Sequence, residues 1–496
     1  MNDQATPRPS RFHRLRQLFD GAYLTADRVL DHGQRHAFRW LWFFLPETSV
    51  AKDLRFQQIV ASRFFSDAGQ QALAYGALIV VARNGGSALD LALIGVAALL
   101  PAALLGLYGG EVADALPRRV ALAGIYNLQA LFCFLVPFVA GTDLWSLFAL
   151  ILAVNALGQV SGPTESAVLP LVATEQQLAS ATSLVHFASS AGTAFGTALL
   201  APILVLVLGE ESVMYVAGGL LIVAATRVFD LPTGEPPRTI RLARPSARLL
   251  PALRTLSQQP AVSTMLFVAV LSGTANIVLQ TLAPSYVVAA LHVDAANAVY
   301  VFAPSAAGLL TALAAGPALM KLWGERVSAL LGFLITTVDL LLLGLVDRVT
   351  DVIDPINPVH ALSLAGIDLN AELRTAALLA LPLGFSIALT TTSVQTYLNR
   401  RVPLGYQGRT FALQSVLKNG IAIVPLLTLG AAASTFGVEP VLIASPIVLL
   451  ALAYALVQLS FNFAGRAPSR RLDVFSTYWH ESVPAAAPPP EPPSGR

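Results

Sequence analysis

The feature that most constrains this chain is a series of apolar runs about as long as a bilayer is thick, each closed by a short polar turn. Leu89–Leu107 and Val120–Val139 show the unit. At roughly 1.5 Å of rise per residue, a helix of either run crosses a hydrocarbon core of ~30 Å. Such a segment must satisfy its backbone N–H and C=O groups internally, and a helix does so. Of 496 residues, 55% are hydrophobic and only 12% are charged, with mean hydropathy +0.65. A soluble domain carries about a quarter charged residues, and one this apolar would expose patches too large to stay monomeric in water. The fold class is therefore all-α integral membrane.

Apolar length and turn residues place about twelve spans, near 55–82, 89–109, 119–140, 144–169, 178–208 and 212–229, then 260–291, 297–322, 326–346, 371–398, 410–436 and 438–461. This predicts two pseudo-symmetric bundles of six helices, 55–229 and 260–461. A basic, partly interfacial arm (1–54) precedes them. A linker (230–259) rich in Pro and Arg joins them, an external insert (347–370) interrupts the second, and a disordered Pro-rich tail (462–496) follows. Basic residues orient the array. The arm, Arg118/Arg119, the linker, Lys321/Arg326, Arg400/Arg401/Arg409 and Arg466/Arg470/Arg471 fall on one side; only Arg83, Arg348 and Arg374 fall on the other. The rule that cytoplasmic loops are basic places both termini inside, in a cell (inner or plasma) membrane.

The halves repeat weakly. Gly316–Arg326 occupies the place of the turn Gly106–Leu122, at an offset of about 206, and Val402–Gln414 that of Val172–Leu184, at about 230. The difference matches the insert. Repeated six-span halves are the sequence trace of a transporter built from related bundles.

The turn Gly106–Leu122 carries Gly110, Asp114, Pro117, Arg118 and Arg119. This order of a glycine, an acid and a basic pair resembles the loop between helices 2 and 3 of the major facilitator superfamily. The details around Asp114 and Pro117, with Ala181–Leu184 and Gly408-Arg409, look most like the enterobactin-exporter and macrolide-efflux branch. The resemblance runs from about Phe56 to Phe461. It implies that spans 1, 4, 7 and 10 surround a central path and that Gly110, Asp114, Arg118, Arg119 and Arg409 act as a conformational gate. It departs from the proton-coupled pattern in one place: span 4 has no arginine between Thr142 and Pro170.

A charge at bilayer depth requires a partner or a watery cavity. Arg63 and Asp67 are four residues apart on span 1 and can pair, either as a fixed structural ion pair or as a site where Asp67 exchanges a proton. Span 4 offers Asn155 and Gln159, with Glu165 expected in a solvated place near its end. His186 on span 5 reads as a packing histidine or a proton site. Gly192–Gly196 reads as close helix packing or an antiporter-like signature. Asn276 and Gln280, Thr391 and Gln395, and Lys418 complete the pathway candidates, as lining groups or as interhelical glue. Asp339 on span 9 has no explanation, because the resemblance makes that span peripheral and a lipid-facing acid would be costly.

No metal-ligand spacing, phosphate loop or nucleophile elbow is present, so no enzyme, cofactor or metal is expected. No basic face suits nucleic acid. The expectation is a monomeric secondary transporter, exporting an amphipathic small molecule, with membrane lipid around it and protons as the candidate coupling ion. A lysophospholipid carrier, and a non-transporting receptor or scaffold on the same frame, are the alternatives.

Overall fold

A computed structural model describes residues 53–106, 117–172, 178–228, 260–295, 299–360, 369–401 and 404–463. The arm, Gly110 and Asp114 of the hinge, the linker and the tail lie outside the described residues, as do the expectations made for them.

The described residues form helices and no strand. They comprise α1 (Leu54–Arg83), α2 (Ala88–Leu105), α3 (Arg118–Ala140) and α4 (Leu144–Val172). Next comes α5, which is α-helical over Leu178–Ala194, π-helical over Phe195–Leu200 and α-helical again over Ala201–Leu208, followed by α6 (Ser212–Arg227). The second set is α7 (Pro260–Ala289), α8 (Val299–Trp323), α9 (Glu325–Gly344), α10 (Ala371–Arg401), α11 (Leu404–Phe436) and α12 (Val438–Phe463). Ten of the described helices are long and apolar enough to cross a membrane. The other two are α1, which carries Arg63, Asp67, Gln70 and Gln71, and the 16-residue α6.

The boundaries follow from local chemistry. A reciprocal capping box starts α2: Ser87 Oγ accepts from the Asp90 N–H at 3.2 Å, and the Ser87 N–H donates to Asp90 Oδ2 at 2.8 Å. The π turn in α5 precedes Pro202, whose missing N–H removes one rung, and the Ala201 N–H reaches back to the Gly196 carbonyl. The insert is not a plain loop. It begins as a short helix, Val346–Ile353, and a 3-10 turn, Asp354–Ile356, fastened to α10 by Arg374 Nε and Nη2 donating to the Asp354 carboxylate at 2.9 and 2.8 Å.

The two sets pair their helices alike. In the first, α1 packs on α5 and α6, α2 on α4, and α3 on α4 and α6; in the second, α7 packs on α11 and α12, α8 on α10, and α9 on α10 and α12. Their turns match as well. Gly209 and Gly437, both at φ 91°, close α5–α6 and α11–α12, a left-handed conformation that costs glycine little.

The halves meet where α2 packs along α11 and where the π turn of α5 touches α8, with α7 reaching α1 and α2. Gly430 lets α11 approach Ala88 and Ala92 of α2, and Gly95 accommodates Leu426 and Thr281. At the end marked by Asn84 the seam is tied by Arg83 Nε to Asp294 Oδ2, 3.1 Å apart.

Candidate functional site

The charges of α1 form a cluster larger than a pair. Arg63 Nε lies 2.9 Å from Asp67 Oδ2, as the four-residue spacing predicts. The same guanidinium donates through Nη1 to Glu165 of α4 and through Nη2 to Ser189 Oγ of α5 at 3.4 Å. Side-chain exposure falls from 27% at Arg63 to 15% at Asp67 and 7% at Glu165. One guanidinium therefore serves two sequestered carboxylates, and the second oxygen of Glu165 has no hydrogen-bond partner.

Glu165 corrects the sequence reading, which expected it solvated. It is buried and joined to Arg63, because the side chains of α1 and α4 cross at a depth that span order alone does not fix. The glycines of α5 set the third wall. A Cβ at Gly192 or Gly196 would stand 2.5 or 2.4 Å from the carbonyl oxygens of Phe64 and Ala68, so α5 lies directly against the α1 backbone beside the cluster. Close packing accounts for the Gly192–Gly196 motif. His186 is exposed on α5, just under two turns from Gly192, rather than packed between helices.

The remaining candidates divide. Asn155 and Gln159 are half-buried on α4, and each spends an amide N–H on its own helix, to Ile151 O at 2.9 Å and Asn155 O at 3.2 Å. Asn276 and Gln280 line a partly open cavity of about 150 Å³ inside the second bundle, walled chiefly by α7, α10, α11 and α12 with residues of α8 and α9. Its wall is otherwise mainly aliphatic. Thr391 is exposed and donates to Ile387 O at 2.8 Å; Gln395 is half-buried, and neither lines this cavity. Lys418 is half-buried on α11, its stem lying over Gly273 of α7. Asp339, which the sequence left without explanation, is buried among the helices at 4% exposure.

Of the gate residues, Arg118 and Arg119 occupy the first turn of α3, Arg409 lies on α11 with its side chain outside the described residues, and Gly110 and Asp114 are likewise outside. The matching turn of the second half is richer than the sequence suggested. Around Gly324, Arg326 Nη2 donates to the Tyr397 hydroxyl at 2.5 Å and its guanidinium lies 4.9 Å from the Tyr397 ring centroid, while Arg400 pairs with Glu325 at 2.5 Å. Tyr397 and Glu325 had no signal in the sequence, since their partners sit on another helix.

Two repeated six-helix bundles that meet along a seam define the class, a multi-pass membrane protein with a transporter's architecture. The family follows from the sequence itself: residues 59–425 match the model of the Major Facilitator Superfamily, and the chain belongs to that superfamily of transporters. Solved structures agree in fold. The nucleoside transporter NupG is 11% identical, covering 82% of this chain and 99% of its own, with TM-score 0.61. A bacterial homolog of the human lysosomal transporter Spinster, in an inward-facing, occupied conformation, is 12% identical over 84% and 98%, with TM-score 0.57. A POT family transporter bound to a thioalcohol-conjugated peptide is 11% identical over 82% and 96%, with TM-score 0.56. No curated protein matches this sequence.

Proposed function

We propose that this protein is a proton-coupled exporter of amphipathic small molecules, resembling the enterobactin-exporter and macrolide-efflux branch and working by alternating access. The observation that carries the reading is the Arg63–Asp67–Glu165 cluster. One cation faces two carboxylates in a membrane bundle, so an ionised cluster holds one excess negative charge. Hydrocarbon makes such a charge costly, and a proton or a cationic group of the cargo relieves it. Exchange of one for the other at this place couples cargo to protons. With cytoplasmic termini, the Arg326–Tyr397 and Glu325–Arg400 contacts stand at the inner face and the Arg83–Asp294 bridge at the outer one. Breaking the Arg83–Asp294 bridge, which crosses the seam, as the bundles rock opens the outer side; the Arg326–Tyr397 and Glu325–Arg400 contacts brace α9 against α10 within the second bundle, in the place that Asp114, Arg118 and Arg119 hold in the first. The similar structures carry the names of nucleoside, peptide and Spinster-type transporters; their divergence leaves the cargo to the chemistry of this chain's own residues.

The test is flux in proteoliposomes with a panel of amphipathic cargos, with and without an imposed pH gradient. Gradient-driven flux that Asp67→Asn and Glu165→Gln each abolish is the expected result. Flux indifferent to the gradient in the wild type removes the coupling, and no flux with any cargo removes the exporter.

One observation favours a lipid carrier as the second reading. Ile421 of α11 and Val448 and Leu452 of α12 line the cavity of the second bundle and are themselves exposed, which sets its wall within reach of lipid. Export of lysophospholipid but of no soluble amphiphile would select this reading.

A further inference from the structure

The cavity inside the second bundle lies off the seam between the halves, and the Arg63 cluster does not reach it. Three properties define what it takes. Its wall is mainly aliphatic, with the amides of Asn276 and Gln280, the hydroxyls of Thr274, Ser305 and Ser445 and the Tyr286 side chain as its polar groups, so it suits a hydrocarbon chain. Three residues of its wall, Ile421 of α11 and Val448 and Leu452 of α12, are also exposed at the surface, apolar side chains that hydrocarbon covers in a membrane. A chain can therefore enter from the bilayer without crossing water.

The third property is a cation on a neighbouring turn, just outside the wall itself. Lys418 precedes Ile421 by one helical turn and Pro425 by two, and both of these line the cavity. Across from it, Gly273 sits beside the lining residues Leu271 and Thr274 and one turn before Asn276. The lysine stem occupies the space a side chain at Gly273 would fill: a Cβ there would stand 2.5 Å from Lys418 Cδ and 2.9 Å from Cγ. Among the described residues Lys418 has no ion pair and no hydrogen bond. A cation held within a membrane bundle without an anion is costly, and a bound anion removes that cost.

We infer that this cavity binds a single-chain anionic amphiphile, with its hydrocarbon chain among α7, α10, α11 and α12 and its carboxylate or phosphate on the Lys418 ammonium. Asn276 and Gln280 serve the polar atoms next to the head group. The inference rests on the membrane placement of the chain and not on the transport cycle, so binding is measured without flux.

The experiment uses the full chain in phosphatidylcholine nanodiscs at alkaline pH, with radiolabelled palmitate as probe and monoolein and lysophosphatidic acid as competitors. Palmitate binds and lysophosphatidic acid displaces it, whereas monoolein at equal concentration does so poorly. The more potent of the two anions identifies carboxylate or phosphate as the preferred head. Lys418→Gln weakens palmitate at least about tenfold, as loss of one partner of a sequestered charge pair does, Lys418→Arg retains it, and the cavity-filling Ala283→Trp removes it. Equal competition by monoolein in the wild type overturns the inference, and that comparison stands even where a variant does not fold. Unchanged palmitate affinity in Lys418→Gln overturns it too. Palmitate bound as expected by a chain that moves no cargo counts against the exporter and leaves the binding site intact.

Discussion

At the scale of single residues, Arg63 has the most to lose. Its removal leaves Asp67 and Glu165 sequestered together without a cation, and breaking a buried pair of this kind costs ~3–5 kcal/mol. Arg63→Ala is therefore expected to lower the thermal midpoint far more than Glu165→Gln, which retains a neutral acceptor for the guanidinium. A scanning fluorimetry series in one detergent separates the two, and equal losses would mean that the cluster is not electrostatically held. A second residue-scale test lies outside the spans. Hydrogen bonds from the Arg374 guanidinium hold the Asp354 carboxyl below the usual aspartate value, with the charges of Arg374 and His360 adding to the effect. A depressed folded value means the clamp's contribution is fully present above the ordinary pKa of ~3.9 and is lost as pH falls through the lower folded one. Amide protection at the start of α10, corrected for intrinsic exchange, should thus persist at mildly acidic pH and vanish in strong acid. In Asp354→Asn it should be weak at every pH; a variant protected like the wild type would show that the clamp holds nothing.

At the scale of the element, helix pairs are decided by where a side chain is missing. A Cβ on Gly384 of α10 would stand 1.9 Å from the Ser305 carbonyl oxygen of α8, and one on Gly308 of α8 2.0 Å from the Leu381 oxygen of α10. These two glycines interlock α8 and α10 at backbone distance. Gly384→Ala forces them apart and is expected to cost ~1–3 kcal/mol, the usual range for overpacking. Gly124→Ala, where the added methyl meets nothing within 4 Å, serves as the control and should be neutral or mildly stabilising, since alanine favours the helix. Thermal unfolding of the two variants side by side reads the difference directly. Neither contact was legible in the sequence: a glycine in a span declares that something approaches, not what.

At the scale of the molecule, alternating access requires α2 and α11 to move relative to each other. Ala103 of α2 and a Cβ placed on Gly420 of α11 are 3.9 Å apart, which matches the Cβ separation of a disulfide. Because Cys133 is the chain's single cysteine and is buried, the double variant Ala103→Cys/Gly420→Cys has one accessible pair to oxidise. Oxidation should arrest flux and reduction restore it. Full flux by the cross-linked protein would show that the halves do not rock at this contact.

What the sequence determined by itself is whatever lipid dictates locally. Bilayer thickness sets the length of each apolar run, and backbone saturation makes each a helix, so the helix ends of α2, α8 and α12 lie within a few residues of the expected spans. The Arg63–Asp67 contact was legible for the same reason, being one helical turn of spacing. Only the tertiary structure decided which polar groups meet across helices. It brought Glu165 to Arg63, buried Asp339, set Tyr397 beneath Arg326 and left Lys418 beside an aliphatic cavity. Apolar helices slide and rotate against one another with no pattern in the sequence to fix their register, and it is contact between side chains from distant spans that settles it.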